Sequence, residues 1–434
     1  MSSFIKSLSH LQVRRRSLVP VAAKNQTMIA AAQNPPLEIL LVVLKIITNG
    51  PYFSRPDQIP MQPTDLSIIR ELVVVQSFIH AASLVCRGWN PAATELLYSK
   101  PILNTPARAQ QFSLALRRSP SLGPLVKRLH VFVFVHGDSE KWVGNKKGNL
   151  AATLRACNKL EAFVLNPPPP DVTEFCPWGA KYILDTNLGS HLKELAIWEG
   201  HNGLLEILPQ NVSLPLLEVL VLRHIVLPPD YEFPRLPKLH TLRLSSIKPY
   251  EQVIRIRSST FPALRSLALQ TWCIQVIIDP DCKAGLTSLA LLGSAEMDIL
   301  KGMERAASLE NIKVLEIRVA LANALDLEIP VVPPNLETII FSASPTLAAE
   351  LRRIALGRIY EGLFAEGKEC NALRLVVLRC RAWDTLNPAE EDPIIVAIQG
   401  ECESRGIQLE VQGEHSETFE EAIHQRLVVW PLNN

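Results

Sequence analysis

The sequence predicts an α/β chain in which a small amino-terminal bundle of three helices precedes an irregular solenoid. In that solenoid, parallel strands would line the concave face, with helices and loops on the convex one. Three observations carry the prediction. Of the 434 residues 64 are leucine, while aromatics make up only 6%, a bias that suits stacked leucine repeats better than a mixed core. One apolar phrase recurs ten times between Val126 and Leu378. Ahead of it, the apolar residues of 35–100 follow the three-to-four-residue spacing of helices. Hydrophobic residues at 47% and charged residues at 20% describe a chain able to bury a core. Lys and Arg total 44 against 43 Asp and Glu, a net charge of +1, which argues against nucleic acid as the main ligand.

Residues 1–34 carry Lys6, Arg14, Arg15, Arg16 and Lys24 and no acid. They read as a disordered basic tail, although a mitochondrial presequence has the same composition. The longest apolar stretch, Leu72 to Cys86, holds Gln76 and His80 and is followed by Arg87. It reads as a buried helix, and no membrane span is expected. None of the eight cysteines has another at zinc-knuckle or redox-pair spacing. Reduced thiols in the cytoplasm or nucleus are therefore expected, with Cys157 and Cys370 serving as small apolar residues.

Residues 35–100 form the expected helical domain. Pro35-Pro36 suits a first helical turn, and Leu37, Ile39, Leu40, Val43, Leu44 and Ile47 follow at helical spacing up to Gly50-Pro51. After a Pro-rich loop, Thr64 or Asp65 caps the helix that runs through ELVVVQSFIHAASLVCRGW. Asn90-Pro91 then opens PAATELLY as N-cap and first helical residue. So small a bundle has apolar surface to spare, and a partner is expected.

Pro36-x-Glu38-Ile39-Leu40, the later SLVCRGW (Ser83 to Trp89) and Leu96-Leu97-Tyr98 together resemble an F-box. The departures are Pro35 in place of the usual leading Leu and a long loop at about 49–63. The resemblance implies docking onto the Skp-type adaptor of a cullin–RING ubiquitin ligase. Carried over position by position, it assigns adaptor binding to Pro36, Ile39, Leu40, Val85 and Trp89. Without that function, the three helices would be a cap on the repeats.

A linker helix is expected within 101–121, opened by Thr105-Pro106 and closed by Pro120. The repeats then occupy 122–412, each written as apolar, two residues, apolar, one residue, apolar. The phrase begins at Val126, Leu160, Leu192, Leu217, Leu239, Leu264, Leu286, Ile312, Leu336 and Leu373. Six successive intervals are 22 to 26 residues, which is the leucine-rich-repeat period. The last two apolar positions of each phrase would point to one side of a strand, into the core. Ile407, Leu409 and Val411 close the array as a last strand, and 413–434 forms an acidic cap or tail. Where that repeat family often has Asn or Cys after the strand, this chain has Ile225, Ile247, Trp272, Ser294, Ser344 and Arg381. No asparagine ladder is expected there, and curvature should be irregular.

Catalytic motifs are missing: there is no nucleophile elbow, phosphate-binding loop, dinucleotide fingerprint or His-Glu-x-x-His. Asp279-Pro280-Asp281 reads as a turn before it reads as a metal site, and His130 and His136 lack a carboxylate partner in sequence. No enzyme activity, cofactor or metal is expected. The expectation is a substrate receptor that joins the adaptor to an unknown target protein, with no nucleic-acid or membrane partner. The alternatives are a non-ligase scaffold and, from the basic tail, a mitochondrial protein. The target would lie on the concave face, where Trp198, Arg223, Arg243, Arg318 and Arg379 stand out because Arg and Trp dominate binding hot spots. An acidic or phosphorylated stretch is the matching ligand. The same face is equally explained by residues that merely suit strands, or by a covering loop.

Overall fold

The computed structural model describes residues 76–84, 87–103, 106–132, 149–166, 190–198, 213–223, 231–245, 253–270, 275–291, 310–319, 332–343, 349–364, 371–380 and 393–412. These fall into two compact units that divide at Leu97 and Tyr98. The expected first helix, the basic tail and the acidic tail lie outside the described residues.

In the first unit, a helical run over 76–83 is followed by α1 (Asn90–Ser99). Ile79, Ala82, Ala92 and Ala93 are buried between them, with Phe78, Trp89, Leu96 and Leu97 packed against that cluster. Small alanines let the two helices approach closely, which explains a core with so few large residues. The expected N-cap Asn90 instead sends its Nδ2 back to the Ser83 carbonyl at 3.1 Å, tying the helices together. The 76–83 run, the described part of the expected buried helix, is helical. Ser77, His80 and Leu84 are exposed, so it buries one face only.

The second unit runs from β1 (Ile102–Leu103) through α2 (Pro106–Arg118), a 3-10 turn (Pro120–Leu125), β2 (Arg128–Phe132), α3 (Asn149–Ala156), β3 (Ala162–Asn166) and β4 (Glu194–Trp198). There follow β5 (Val219–Arg223), β6 (Thr241–Ser245), β7 (Val253–Ile256), β8 (Ser266–Gln270), β9 (Gln275–Ile278), α4 (Pro280–Gly285) and β10 (Ser288–Leu291). The unit ends with β11 (Val314–Val319), β12 (Thr338–Ala343), α5 (Ala349–Phe364), β13 (Leu375–Cys380), α6 (Pro393–Ser404) and β14 (Gln408–Gln412).

Twelve of these strands form one parallel sheet in the order β1-β2-β3-β4-β5-β6-β8-β10-β11-β12-β13-β14, while β7 and β9 pair as a separate ribbon. The main sheet keeps sequence order because every strand pairs with those of the phrases before and after it. Register follows the leucines: Leu195, Leu220, Leu242, Leu267, Leu289 and Leu315 stand opposite one another. So do Ile197, Leu222, Leu244, Leu269, Leu291 and Ile317. All are at most 1% exposed. A slip of one residue would turn this whole set to the other face, so burial pins the register. Each fully buried leucine contributes roughly 1.5–3 kcal/mol relative to exposure.

The sheet begins earlier than the sequence suggested. Ile102 pairs with His130 and Leu103 with Val131, so the segment expected as a linker carries the first strand. α2 matches the expected helix, closing before Pro120. Asp279-Pro280-Asp281 proves to be the start of α4, with Asp279 at the N-cap position and Pro280 in the first turn. Where α6 ends, Gly406 takes φ +69, Ile407 N–H donates to the Cys402 carbonyl and Gly406 N–H to that of Glu403. This pair of bonds satisfies the last helical carbonyls and turns the chain into β14.

Candidate functional site

Of the expected adaptor-binding residues, Pro36, Ile39, Leu40 and Val85 lie outside the described residues. Trp89 sits in the turn before α1, half-buried against the alanine-rich cluster, and its Nε1 is buried with no hydrogen-bond partner among the described residues. Apolar packing of the ring holds it there.

The expected target-binding residues belong to the sheet face opposite the leucines. Trp198 and Arg223 stand opposite each other on β4 and β5. Arg243 pairs in register with Val221 and Ala268, two residues earlier on the strand than the row of Arg223. Arg318 and Arg379 share one row, separated by Ser342. The backbone thus brings Trp198, Arg223 and Arg243 onto three adjacent strands, and Arg318 with Arg379 onto strands two apart. Arg223 is half-buried, and its guanidinium is pushed down to about 10, first by burial and then by the charge of Arg318.

Between these arginines the face is not open. Val164, Ala196, Val219 and Val221 form a cluster 0–5% exposed, and Ala268 and Val377 are buried too. Apolar strand residues therefore supply a second buried surface.

At the β2–β4 end this face carries a buried polar cluster that sequence reasoning missed. Arg128 donates to Glu194 at 2.6 Å, with side chains 21% and 6% exposed, and its Nε donates to His130 Nε2 at 2.8 Å. Arg128, Ala162 and Glu194 occupy one register position on three successive strands. Strands two apart are separated by about 9.6 Å, and the methyl group of Ala162 leaves the gap open to two long side chains. Aligning the phrases, rather than seeking neighbours in sequence, would have exposed the pair. Burial pushes the Glu194 carboxyl above its ordinary value against the pull of Arg128 and Arg243. Burial, then the charges of Arg128 and Lys100, hold the His130 imidazole well below its ordinary value.

A third row consists of the residue just before each strand. The amide of each donates to the carbonyl of the one before, unbroken from Glu161 on Lys127 to Arg374 on Glu337, at 2.7–3.0 Å, and the first residue of β14, Gln408, donates to the Arg374 carbonyl. Stacked this way, opposite charges on neighbouring repeats meet. Glu161 bridges Lys127 at 3.2 Å and Lys193 at 3.0 Å, Glu218 lies 3.8 Å from His240, and Glu337 bonds Lys313 at 2.7 Å. Just ahead of this row, Asn311 Nδ2 donates to the Ala284 carbonyl and Asn335 Nδ2 to that of Glu310, both at 2.7 Å. The chain therefore does bridge repeats with asparagine, before the strands instead of after them.

These sites hold ion pairs, side-chain amide bridges and buried apolar residues. Among the described residues no three His, Cys, Asp or Glu converge as metal ligands would, and no helix is long and apolar enough to cross a membrane. Cys157, Cys282 and Cys402 are buried thiols, and burial pushes them up to about 12, about 11 and about 11. Comparison with known protein families and with curated proteins finds no match.

Proposed function

We propose that the chain is a non-catalytic substrate receptor of an SCF-type ubiquitin ligase, acting in the cytoplasm or nucleus. In this reading the 35–100 segment is an F-box that docks a Skp-type adaptor through Pro36, Ile39, Leu40, Val85 and Trp89. The sheet is the inner wall of an irregular leucine-rich-repeat solenoid that holds a target protein near Trp198, Arg223, Arg243, Arg318 and Arg379. The observation that carries it is the pairing of SLVCRGW with an in-register array of leucine phrases spaced mostly 22 to 26 residues apart. Such a receptor requires geometry and no reactive group of its own.

A non-ligase scaffold is the second reading, and Trp89 favours it, because its ring already serves the core of its own unit. Capture of the full chain on purified adaptor separates the two. Under the receptor reading wild type binds, and Leu40→Ala with Trp89→Ala abolishes capture while far-ultraviolet circular dichroism stays unchanged. Absent binding by wild type, or undiminished binding by the double variant, rejects it. For the target surface, Arg223→Glu with Arg243→Glu should lose co-purifying protein while adaptor capture persists.

A further inference from the structure

A polar groove of about 420 Å³ crosses the starts of β8 to β13. Its wall is the later half of the row of pre-strand residues, including Arg265, Lys313, Glu337 and Arg374. The amide-to-carbonyl ladder fixes these residues one strand apart. Asn311 and Asn335 tie the adjoining turns to the preceding repeats, which holds the groove in shape.

Charge along this row is balanced at one end and unbalanced at the other. Lys127, Glu161 and Lys193 form an ion-paired triplet, and Glu218 faces His240. Within the groove Lys313 takes Glu337. Arg265 has His240 and Thr287 as row neighbours and donates its Nη1 to the Gly285 carbonyl at 3.0 Å. Arg374 lies level with Ile407 on one side and beside Glu337 on the other, whose carboxylate bonds Lys313 and is held below its ordinary value first by that bond and only last by the charge of Arg374. Among the described residues neither guanidinium has a carboxylate at ion-pairing distance, and both arginines are exposed. They stand at the two ends of the groove, four strand spacings or about 19 Å apart. One small anion cannot span that distance.

From this arrangement we infer that the groove binds an extended acidic peptide segment of a partner protein, with one carboxylate meeting Arg265 and another meeting Arg374. An extended chain advances about 3.3 Å per residue, so the two acids stand about six residues apart, with uncharged residues between. Glu310 and Glu337 also line the groove, and they repel a continuous polyanion such as RNA while tolerating a peptide whose middle is neutral. The site is separate from the proposed adaptor and target surfaces and stands if that reading fails.

Fluorescence anisotropy on the full chain tests it, with a fluorescein-labelled Gly/Ser peptide carrying two glutamates about six residues apart as probe. Wild type should bind this probe, its Gln counterpart should not bind, and added salt should weaken the complex. Arg265→Gln with Arg374→Gln should weaken binding about tenfold, whereas Lys127→Gln at the other end of the row should not. Absence of wild-type binding overturns the inference, as does equal binding by the double variant or equal loss in Lys127→Gln. Should the double variant not fold, the ligand decides: moving the two glutamates to adjacent positions must weaken binding to wild type, and unchanged affinity overturns it. Tighter binding of a short RNA oligonucleotide than of the peptide overturns the choice of occupant.

Discussion

Glu194 shows at single-residue scale how this sheet handles charge away from its leucines. Burial raises its carboxyl more than Arg128 and Arg243 lower it, so the ion pair does not repay the full desolvation of the acid. Such pairs cost little when replaced whole and much when broken, since the surviving charge is left without compensation. Arg128→Met should therefore destabilise the fold by about 3 kcal/mol, and adding Glu194→Met should restore most of the loss. Urea unfolding of both variants measures this, and a double variant as unstable as the single one would contradict the account. Neither residue could be paired by reading along the chain, because 66 positions separate them. The phrase alignment already contained the answer, since it places both just ahead of the first strand leucine, at Leu129 and Leu195. At this scale the sequence hid the partner but not the position.

Elements are more legible, because an element is decided by pattern and the pattern here is dense. The second and third apolar positions of the ten phrases occupy the buried face of the main-sheet strands from β2 to β13, β7 and β9 excepted, since a face of leucines cannot be exposed at tolerable cost. What escaped was whatever the leucine phrase did not mark. Ile102–Leu103 is too short to show alternation, and the strands of the β7–β9 ribbon lie on either side of the Leu264 phrase, where VIRI and QVII compete with stronger neighbours. Backbone contacts between elements leave no apolar signal either. Gly123, in the 3-10 turn, is the clearest case, for a Cβ there would run into the Ala156 carbonyl at the end of α3. The obstacle is backbone and cannot rotate away, so the turn or the helix end must shift. Gly123→Ala should lower stability by about 1–3 kcal/mol, whereas Gly400→Ala, with open space around it, should not. Thermal unfolding of the two variants gives the comparison, and equal midpoints would show that the α3 end yields freely.

For the whole molecule the open matter is whether the parallel stack behaves as a solenoid, in which each repeat is held only by its neighbours. Sheet order following chain order is the arrangement such behaviour requires. The two ends of the stack differ in cover. At β1, Ile102 and Leu103 are both 3% exposed. At β14, Val411 sits in the leucine row opposite the fully buried Leu378 and is 49% exposed, with no further strand beyond it among the described residues. Stability in a nearest-neighbour stack should therefore decline toward β14 and not toward β1. Native-state hydrogen exchange should find the amides of β14 opening at lower free energy than those of β6, β8 and β10, with β1 closer to the middle. Leu289→Ala, at a fully buried central position, should cost about 2–5 kcal/mol and weaken protection on both sides of β10. Leu409→Ala should lower protection in β13 and β14 alone, because the loss of the last repeat leaves every earlier interface intact. Uniform protection from β1 to β14, changed equally by both substitutions, would mean that the sheet unfolds as one indivisible block and would remove the solenoid from the proposed function.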